Sequence, residues 1–367
     1  MQIDFANLKI QHNLYKEEIE EAILKVARDC NFIMGSQIDE LERNLEKFTG
    51  SKYAISCSSG TDALLLAMMA LDIQPDDEII TTPFTFFATA ETIAFLKAKP
   101  VFVDIDEKTY NIDPKKIEEK ITPKTKAIIP VSLYGQPADM DEINQIAKKH
   151  NLKVIVDGAQ SFGSTYKGES DSNLGDISCT SFFPAKPLGC YGDGGALFTN
   201  DEKLADKIKS LRLHGQSIRY HHQYIGMGGR LDTIQAAVLN VKLKYYEKDL
   251  KLRQDVAEKY TKALNEKNIE TPFVKSDRTS AWAQYSIRVQ NRTELQTKLQ
   301  NLGIPTAVHY PMPLHVQECF KYLNLKEGDF PISEKVSKEI MSLPMNPYVS
   351  DEEIEFIVEN LAKELRC

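Results

Sequence analysis

Short apolar runs alternate with amphipathic stretches along the first two thirds of the chain. The runs have the length and composition of β-strands, and the stretches between them carry apolar residues at helical spacing. Strands are predicted at residues 53–57, 78–82, 100–103, 127–132, 154–156, 178–183 and 196–199, and helices at 61–71, 88–96, 140–150 and 202–211. This alternation is typical of an α/β fold with a mostly parallel central sheet sandwiched by helices.

The pattern differs at the two ends of this region. Two amphipathic helices, 16–29 and 38–48, are predicted before the first strand. After residue 231 a helical periodicity runs from 234 to about 264, followed by a strand near 283–289 and helices at 294–302, 334–341 and 351–365. We therefore predict a large α/β domain over 1–245 and a smaller C-terminal α+β domain over 246–367.

Composition and charge argue against several classes of protein. The 367 residues include 45 Lys and Arg against 53 Asp and Glu, and the resulting net charge of −8 argues against nucleic acid as the partner. The sequence has no apolar run long enough to span a membrane, and residues 1–9 lack the features of a secretory signal. We expect a cytoplasmic protein with no membrane partner.

The cysteines indicate neither disulfides nor a metal site. They are scattered, with no CxxC pair and no cluster with histidine at zinc spacing. Reduced thiols in small apolar sites are the favoured interpretation. The six are Cys30, Cys57, Cys179, Cys190, Cys319 and Cys367.

Three segments at predicted strand ends carry polar groups. Residues 58–64 (SSGTDAL) join a strand to a helix and offer the N–H groups and hydroxyls of a phosphate site, although they also suit ordinary helix capping. Residues 154–161 end a buried strand in Asp157, which can contact a ligand or cap the next helix. Residues 180–195 hold Lys186 between two prolines before a glycine-rich stretch, a pattern that by itself also suits a surface loop.

Together these segments fit pyridoxal 5′-phosphate. A buried lysine can form a Schiff base, a carboxylate can hold the pyridine nitrogen protonated, and a strand-to-helix turn can bind the phosphate. The order of phosphate turn, acid and lysine, each at a strand end, favours this combination over coincidence. The sequence therefore predicts a pyridoxal-phosphate enzyme.

The sequence resembles the DegT/StrS family of nucleotide-sugar aminotransferases, which are fold type I pyridoxal-phosphate enzymes, over essentially its whole length. As a set, the motifs that carry the resemblance are highly specific. They are FIMG at 32–35, SGTDAL at 59–64, TPFTF at 82–86, VDID at 103–106, DGAQ at 157–160, Ser181 with Lys186, GG at 194–195, RLD at 230–232 and HYP at 309–311.

The resemblance implies a role for each matching residue. Lys186 would be the Schiff-base lysine and proton shuttle, and Asp157 would pair with the pyridine nitrogen. Gln160 would contact the phenolic oxygen, and Phe86 would stack on the ring, although a packing role in the core also explains this aromatic residue. The residues that would bind the phosphate are Gly60, Thr61 and Ser181.

One position departs from the family pattern. Family members often have an asparagine two residues before Arg230 that reaches the phosphate from the partner subunit, whereas this chain has Gly228. The contact is expected to come from Arg230 or to be weaker. The family also implies a homodimer whose active sites contain residues of both chains.

Within the family, the nearest resemblance is to enzymes that transfer an amino group from glutamate to carbon 3 of UDP-2-acetamido-2-deoxy-3-oxo-D-glucuronate in bacterial surface polysaccharide (O-antigen) synthesis. The stretches that carry it are residues 127–136, 180–195, 214–216 with 219–222, and 306–311. Cationic side chains are expected to bind this acidic substrate, although 219–222 also suit a solvated loop. The candidates are Arg219, His221, His222, Arg230 and His309, together with Tyr310.

Alternative functions stay open at this stage. A 3-aminotransferase for dTDP-3-keto-6-deoxyhexoses would share every cofactor residue. The family's sugar dehydratases have histidine in place of the lysine, so Lys186 argues against them. A non-enzymatic regulator or sensor with the same fold is disfavoured because the cofactor residues are intact.

Overall fold

The computed structural model of the chain describes residue 1 and residues 3–366, so Cys367 lies outside the described part. Its strands are β1 (Tyr53–Cys57), β2 (Glu78–Thr81), β3 (Lys99–Phe102), β4 (Thr125–Ile128), β5 (Lys153–Asp157), β6 (Thr165–Tyr166), β7 (Glu169–Ser170), β8 (Ile177–Ser181), β9 (Gly195–Thr199), β10 (Gln216–Ile218), β11 (His221–His222), β12 (Tyr285–Arg288) and β13 (Ile340–Leu343). The helices are α1 (Leu8–Leu14), α2 (Lys16–Asp29), α3 (Ser36–Thr49), α4 (Gly60–Ala70), α5 (Ala88–Phe95), α6 (Met140–His150), α7 (Glu202–Arg212), α8 (Thr233–Leu243), α9 (Tyr246–Glu266), α10 (Arg292–Asn301), α11 (Pro331–Glu339) and α12 (Asp351–Arg366).

Seven strands form the main sheet, in the order β1-β9-β8-β5-β4-β2-β3. β9 runs antiparallel to both β1 and β8, and the remaining neighbours in the sheet are parallel. The predicted α/β class with a mostly parallel sheet is confirmed. β4 lies between β5 and β2 in the interior of the sheet, but it spans Thr125–Ile128, so the strand predicted at 127–132 is placed too late in the chain.

Helices cover both faces of the sheet, as the alternation along β5 shows. Ile155 packs in one cluster with Leu66 of α4, whereas Val156 packs in another with Ile143 of α6. All three strand residues from Val154 to Val156 are at most 2% exposed. A strand buried on both faces has no polar face, which is why its sequence is a continuous apolar run.

Two predicted helices are wrong in their bounds. The periodicity from 234 to 264 is divided between α8 and α9, because Tyr245 stacks on Tyr15 with ring centroids 4.1 Å apart while Tyr246 turns into the core. The helix predicted at 334–341 ends at Glu339, and the buried run that follows is β13, which pairs with β12. A short apolar run is compatible with a helix or a strand, and here the hydrogen bonds to β12 make it a strand.

The short elements of the loops were not predicted. They comprise α1, the β6–β7 pair, the β10–β11 hairpin and β13. Among the described helices, none is both long enough and apolar enough to cross a membrane. The division into domains 1–245 and 246–367 stays a prediction.

Candidate active site

The three segments singled out in the sequence meet at one edge of the main sheet. Cys57, at the end of β1, and Ser181, at the end of β8, both pair with Gly195. Asp157, at the end of β5, pairs with Cys179 on β8. The ends of parallel strands share an edge, so residues far apart in sequence face one space, as expected for ligand sites of α/β sheets.

The phosphate turn lies against the ends of β8 and β9. Ser59 caps α4 by accepting a hydrogen bond from the Asp62 backbone N–H at 3.0 Å, and Gly60 begins the helix. A Cβ on Gly60 would lie 2.6 Å from the Ser181 Cβ, and one on Gly195 would lie 2.5 Å from the Ser59 carbonyl oxygen. Only glycines permit this approach, which brings the Ser181 hydroxyl to a helix N-terminus suited to an anion.

Asp157 is a buried acid with defined partners. It is 5% exposed, and its carboxylate accepts hydrogen bonds from the Thr89 hydroxyl at 2.7 Å and the Ala159 N–H at 3.2 Å. Burial raises the pKa of Asp157, whereas these two donors and the positive charge of Lys186 lower it. The orientation of the carboxylate is therefore set by neighbours on α5 and on its own turn.

Lys186 is a half-buried amine whose charge interacts with that of Asp157. Burial lowers the pKa of the Lys186 amine, and Asp157 opposes this effect. In the described part of the chain, the Lys186 Nζ has no hydrogen-bond or ion-pair partner. A lysine with a lowered pKa and an uncommitted amine is suited to nucleophilic attack on a carbonyl group.

Gln160 connects the turn after β5 to the HYP motif. Its side chain is 4% exposed, accepts a hydrogen bond from the Tyr134 N–H at 2.7 Å and donates one to the Tyr310 hydroxyl at 3.0 Å. The exposed Phe86 ring lies 5.9 Å from the Tyr310 ring between centroids. The interpretation of Phe86 as a core aromatic is wrong, because 56% of the residue is exposed.

His309 lies at this site but is not a cation. Its Nδ1 lies 3.0 Å from the Ser342 hydroxyl, and the hydroxyl of Tyr134 donates to its carbonyl oxygen. Burial, together with the nearby charge of Lys186, lowers the pKa of His309 to about 4. The expectation that His309 adds positive charge is therefore wrong at neutral pH, where the ring is a neutral donor and acceptor.

Three of the remaining substrate candidates lie on an exposed hairpin, and the fourth lies next to a residue that bonds to the phosphate turn. Arg219, His221 and His222 are exposed on the β10–β11 hairpin and bond to residues of the same segment: Tyr220, Ser217 and the His214 carbonyl oxygen. Nothing in the described single chain brings these three side chains to Lys186. Arg230 is half-buried and follows Gly229, whose carbonyl oxygen accepts from Ser58 N–H at 3.0 Å.

Three functional neighbours were not found in the sequence. Thr89 bonds to Asp157, Tyr134 bonds to Gln160, and Asp171 lies beneath the turn that carries both. Thr89 lies three residues after the matched TPFTF motif and near the start of α5, and this position could have marked it as a neighbour of the site. Tyr134 and Asp171 contact the turn from other parts of the sequence, and no local motif marks either residue. Among the described residues, no group of three or more metal-ligating side chains occurs.

These features fit pyridoxal phosphate: a cradle that only glycines permit, a buried acid and a free amine. The sequence profile of the DegT/DnrJ/EryC1/StrS aminotransferase family matches residues 13–362. The chain belongs to this family. The resemblance seen in the sequence is confirmed, and this DegT/StrS chain is a pyridoxal-phosphate-dependent aminotransferase with the fold type I architecture.

Individual relatives match over nearly the whole chain. The UDP-2-acetamido-2-deoxy-3-oxo-D-glucuronate aminotransferase of Pseudomonas aeruginosa is 51% identical over 355 residues, covering 97% of this chain and 98% of that protein. The pleiotropic regulatory protein of Geobacillus stearothermophilus is 44% identical over 366 residues, covering 99% and 98%. The second name is that of a regulator, but this chain has the free amine of Lys186 beside Asp157 that amine transfer requires.

A solved structure connects the family to the cofactor. The crystal structure of NtdA from Bacillus subtilis with bound cofactor PMP matches with a TM-score of 0.92 at 32% identity, covering 100% of this chain and 86% of that one. PMP, pyridoxamine phosphate, is the amino form of pyridoxal phosphate. The cofactor predicted for this DegT/StrS chain is confirmed.

Proposed function

We propose that this aminotransferase acts on carbon 3 of UDP-2-acetamido-2-deoxy-3-oxo-D-glucuronate, with glutamate as amino donor, in bacterial surface polysaccharide synthesis, lipopolysaccharide O-antigen included. The observation that supports this choice of substrate is the 51% identity to the Pseudomonas aeruginosa enzyme over 97% of the chain. The cytoplasmic location stays a prediction.

The site geometry supports the cofactor roles that we propose. Pyridoxal phosphate, when bound, supplies the carbonyl group that takes up the amine and the ring that accepts electrons as a proton leaves. Asp157, held by Thr89, would bind the ring nitrogen and keep it protonated. Lys186, whose pKa is lowered by burial, would hold the cofactor through its amine and would carry a proton at Nζ.

The phosphate and the ring are held by the remaining residues. The hydroxyl of Ser181 and the first N–H groups of α4 receive the phosphate. Gln160, fixed by the Tyr134 N–H, would bind the phenolic oxygen, and Phe86 would stack on the ring. These residues are Gly60, Thr61, Phe86, Gln160 and Ser181, with Arg230 as a further phosphate ligand.

The substrate is proposed to lie between the ring and the HYP motif. His309 and Tyr310 adjoin the cofactor residues, and a neutral imidazole and a phenol can bond to sugar hydroxyls. The carboxylate and diphosphate of the substrate need charged donors, which Arg219 and Arg230 supply, and His221 and His222 add ring N–H donors.

A homodimer with shared sites accounts for this arrangement, because the described hydrogen bonds of Arg219, His221 and His222 all stay within their own segment. The region around the hairpin exposes large apolar side chains: Ile218 is 74%, Tyr220 80% and Ile225 92% exposed. Exposed apolar groups of this size are typical of surfaces that a partner covers. In the proposed dimer the hairpin inserts beside the partner's cofactor.

A single-turnover experiment tests the substrate. The protein is loaded with pyridoxamine phosphate and mixed with UDP-2-acetamido-2-deoxy-3-oxo-D-glucuronate, generated in place by a dehydrogenase, or with a dTDP-3-keto-6-deoxyhexose. The visible absorbance of the pyridoxal form is expected to return with the uronate alone, and Lys186→Ala serves as the inactive control.

The other outcomes separate the alternatives. A return of absorbance only with the dTDP sugar would keep the aminotransferase but replace the substrate. Silence with both sugars, in protein that still responds to glutamate when loaded with pyridoxal phosphate, would overturn amination at carbon 3 of either sugar.

A further inference from the structure

A second buried acid lies beneath the turn that carries Asp157. Asp171 is 1% exposed, and its carboxylate accepts a hydrogen bond from the Ser132 hydroxyl at 3.0 Å and another from the Ser161 hydroxyl. Its backbone is also held, because Asp171 N–H donates to the Ser164 carbonyl oxygen at 3.0 Å. Neither the family motifs nor the proposed chemistry uses this side chain.

The two serines connect Asp171 to both ends of the turn at 157–161. Ser132 N–H donates to the Asp157 carbonyl oxygen at 3.0 Å, and Ser161 N–H donates to the Gly158 carbonyl oxygen at 3.1 Å. A Cβ on Gly158 would lie only 3.2 Å from Asp171 Oδ2, so the carboxylate packs directly beneath the turn. Through the two serines, the Asp171 side chain thus fixes the backbone at both ends of the turn at 157–161.

We propose that Asp171 is a positioning residue: through Ser132 and Ser161 it holds the turn that places Asp157 and Gln160 against the cofactor ring. The inference rests on the proposed roles of Asp157 and Gln160. An ionised carboxylate suits this task because it accepts from both hydroxyls at once, whereas an apolar replacement would leave two buried hydroxyls without this partner.

The electrostatic surroundings agree with this role. Burial, together with the negative charge of Asp157, raises the pKa of Asp171 to about 6, and the two serine hydroxyls and Arg278 oppose the rise. Asp157 on β5 and Arg278 on the segment before β12 are the charged groups that act on it. Replacing Asp171 therefore alters the charge next to Asp157 as well as the geometry of its turn.

The test compares Asp171→Ala and Asp171→Asn with a matched control, Asp176→Asn. Asp176 lies five residues away and accepts from the Val154 N–H at 2.9 Å, at the opposite end of β5 from Asp157. For each variant, pyridoxal phosphate is titrated into cofactor-free protein, and its visible absorbance gives the dissociation constant and the pH midpoint of the bound cofactor. Thermal unfolding of the cofactor-free proteins reports the structural cost separately.

Asp171→Ala is expected to weaken cofactor binding about 10-fold and to shift the pH midpoint by roughly half a unit. Asp171→Asn, which keeps the size and one acceptor, is expected to lose about 3-fold, and Asp176→Asn to lower only the unfolding temperature. Wild-type affinity and midpoint in the Ala variant would overturn the inference, as would equal changes in Asp176→Asn. If the Ala variant does not fold, wild-type values in the Asn variant would overturn it.

The same titration separates this inference from the proposed function. Wild-type protein that binds the cofactor normally and an Asp157→Asn variant that alters its absorbance would support the proposed roles, whatever Asp171 does. Unaltered absorbance in Asp157→Asn would refute those roles and the inference with them.

Discussion

The cofactor end of the sheet and the β10–β11 hairpin contain the two halves of the predicted site, and they differ in every physical respect. At the cofactor end, Asp157 and Gln160 are at most 5% exposed and bond to residues from several elements. On the hairpin, Arg219 and His221 are exposed and bond only within four residues of themselves. The residues of the first half come together within a single chain, whereas in the proposed dimer the second half is completed by the partner.

The difference shows how a residue's surroundings limit what it can do. Buried groups have shifted pKa values, as the lowered pKa of Lys186 and of His309 shows, and shifted values suit proton transfer. Exposed arginine and histidine side chains keep their hydration and freedom, so they contribute to binding only after a second surface has ordered them. We therefore expect the cofactor end to govern the chemical step and the hairpin to govern substrate affinity.

The largest effect is expected from Lys186→Ala. Removal of the amine eliminates the nucleophile and the proton carrier together, so the transamination rate should fall at least about 1000-fold. Steady-state rates with glutamate and the visible absorbance of the cofactor measure this. Lys203→Ala, on the surface of α7, is the control that should keep the wild-type rate. A Lys186→Ala enzyme within about 10-fold of wild type would refute the role.

Mixing subunits tests whether residues of the partner complete each active site. Lys186→Ala and Arg230→Ala are each expected to be nearly inactive as homodimers. After joint unfolding and reassembly, half of the dimers are mixed and one of their two sites is intact, so about a quarter of wild-type activity should return. No recovery in a sample with proven mixed dimers would exclude shared sites.

Single replacements on the hairpin should have a smaller effect, confined to the substrate. Arg219→Ala, His221→Ala and His222→Ala are each expected to raise the KM for the sugar about 3- to 10-fold, because each removes one contact to an anionic group. The affinity for pyridoxal phosphate should stay at its wild-type value. Steady-state kinetics with varied sugar measure this, and a loss of cofactor would instead place that residue at the other half.

The smallest effect concerns stability and pH. His309 has a folded pKa of about 4, below its unfolded value near 6.5, so the unfolded chain binds the proton more readily between these values. Its contribution is therefore complete above pH 6.5 and is lost as the pH falls toward 4. After screening by solvent, wild type should lose about 2 kcal/mol more than His309→Asn over this window.

Urea unfolding at a series of pH values measures this loss. The exposed His222→Asn variant is the control and should follow the wild-type pH dependence. Parallel curves for wild type and His309→Asn would show that His309 is not kept neutral by the fold.

The candidate site divides in the same way between what could be predicted and what could not. Asp157 and Lys186 were found because ligand sites of α/β sheets lie at the carboxyl ends of strands. Their order along the chain also matched the groups that bind pyridoxal phosphate. The neutral state of His309 could not be found, since it depends on burial by Ser342 and Tyr134 and on the nearness of Lys186. Local pattern carries no information on such neighbours.

By itself, the sequence determined the α/β alternation, the strands of the main sheet, the cofactor and the family. These follow from hydrophobic periodicity and from motifs in which all the necessary residues are close in the chain. The tertiary structure alone decided the break between α8 and α9, the strand character of β13, and the brace of Ser132, Ser161 and Asp171 beneath Asp157. The physical reason is that burial, pairing and charge at these places are set by groups distant in sequence, which meet only when the chain is folded.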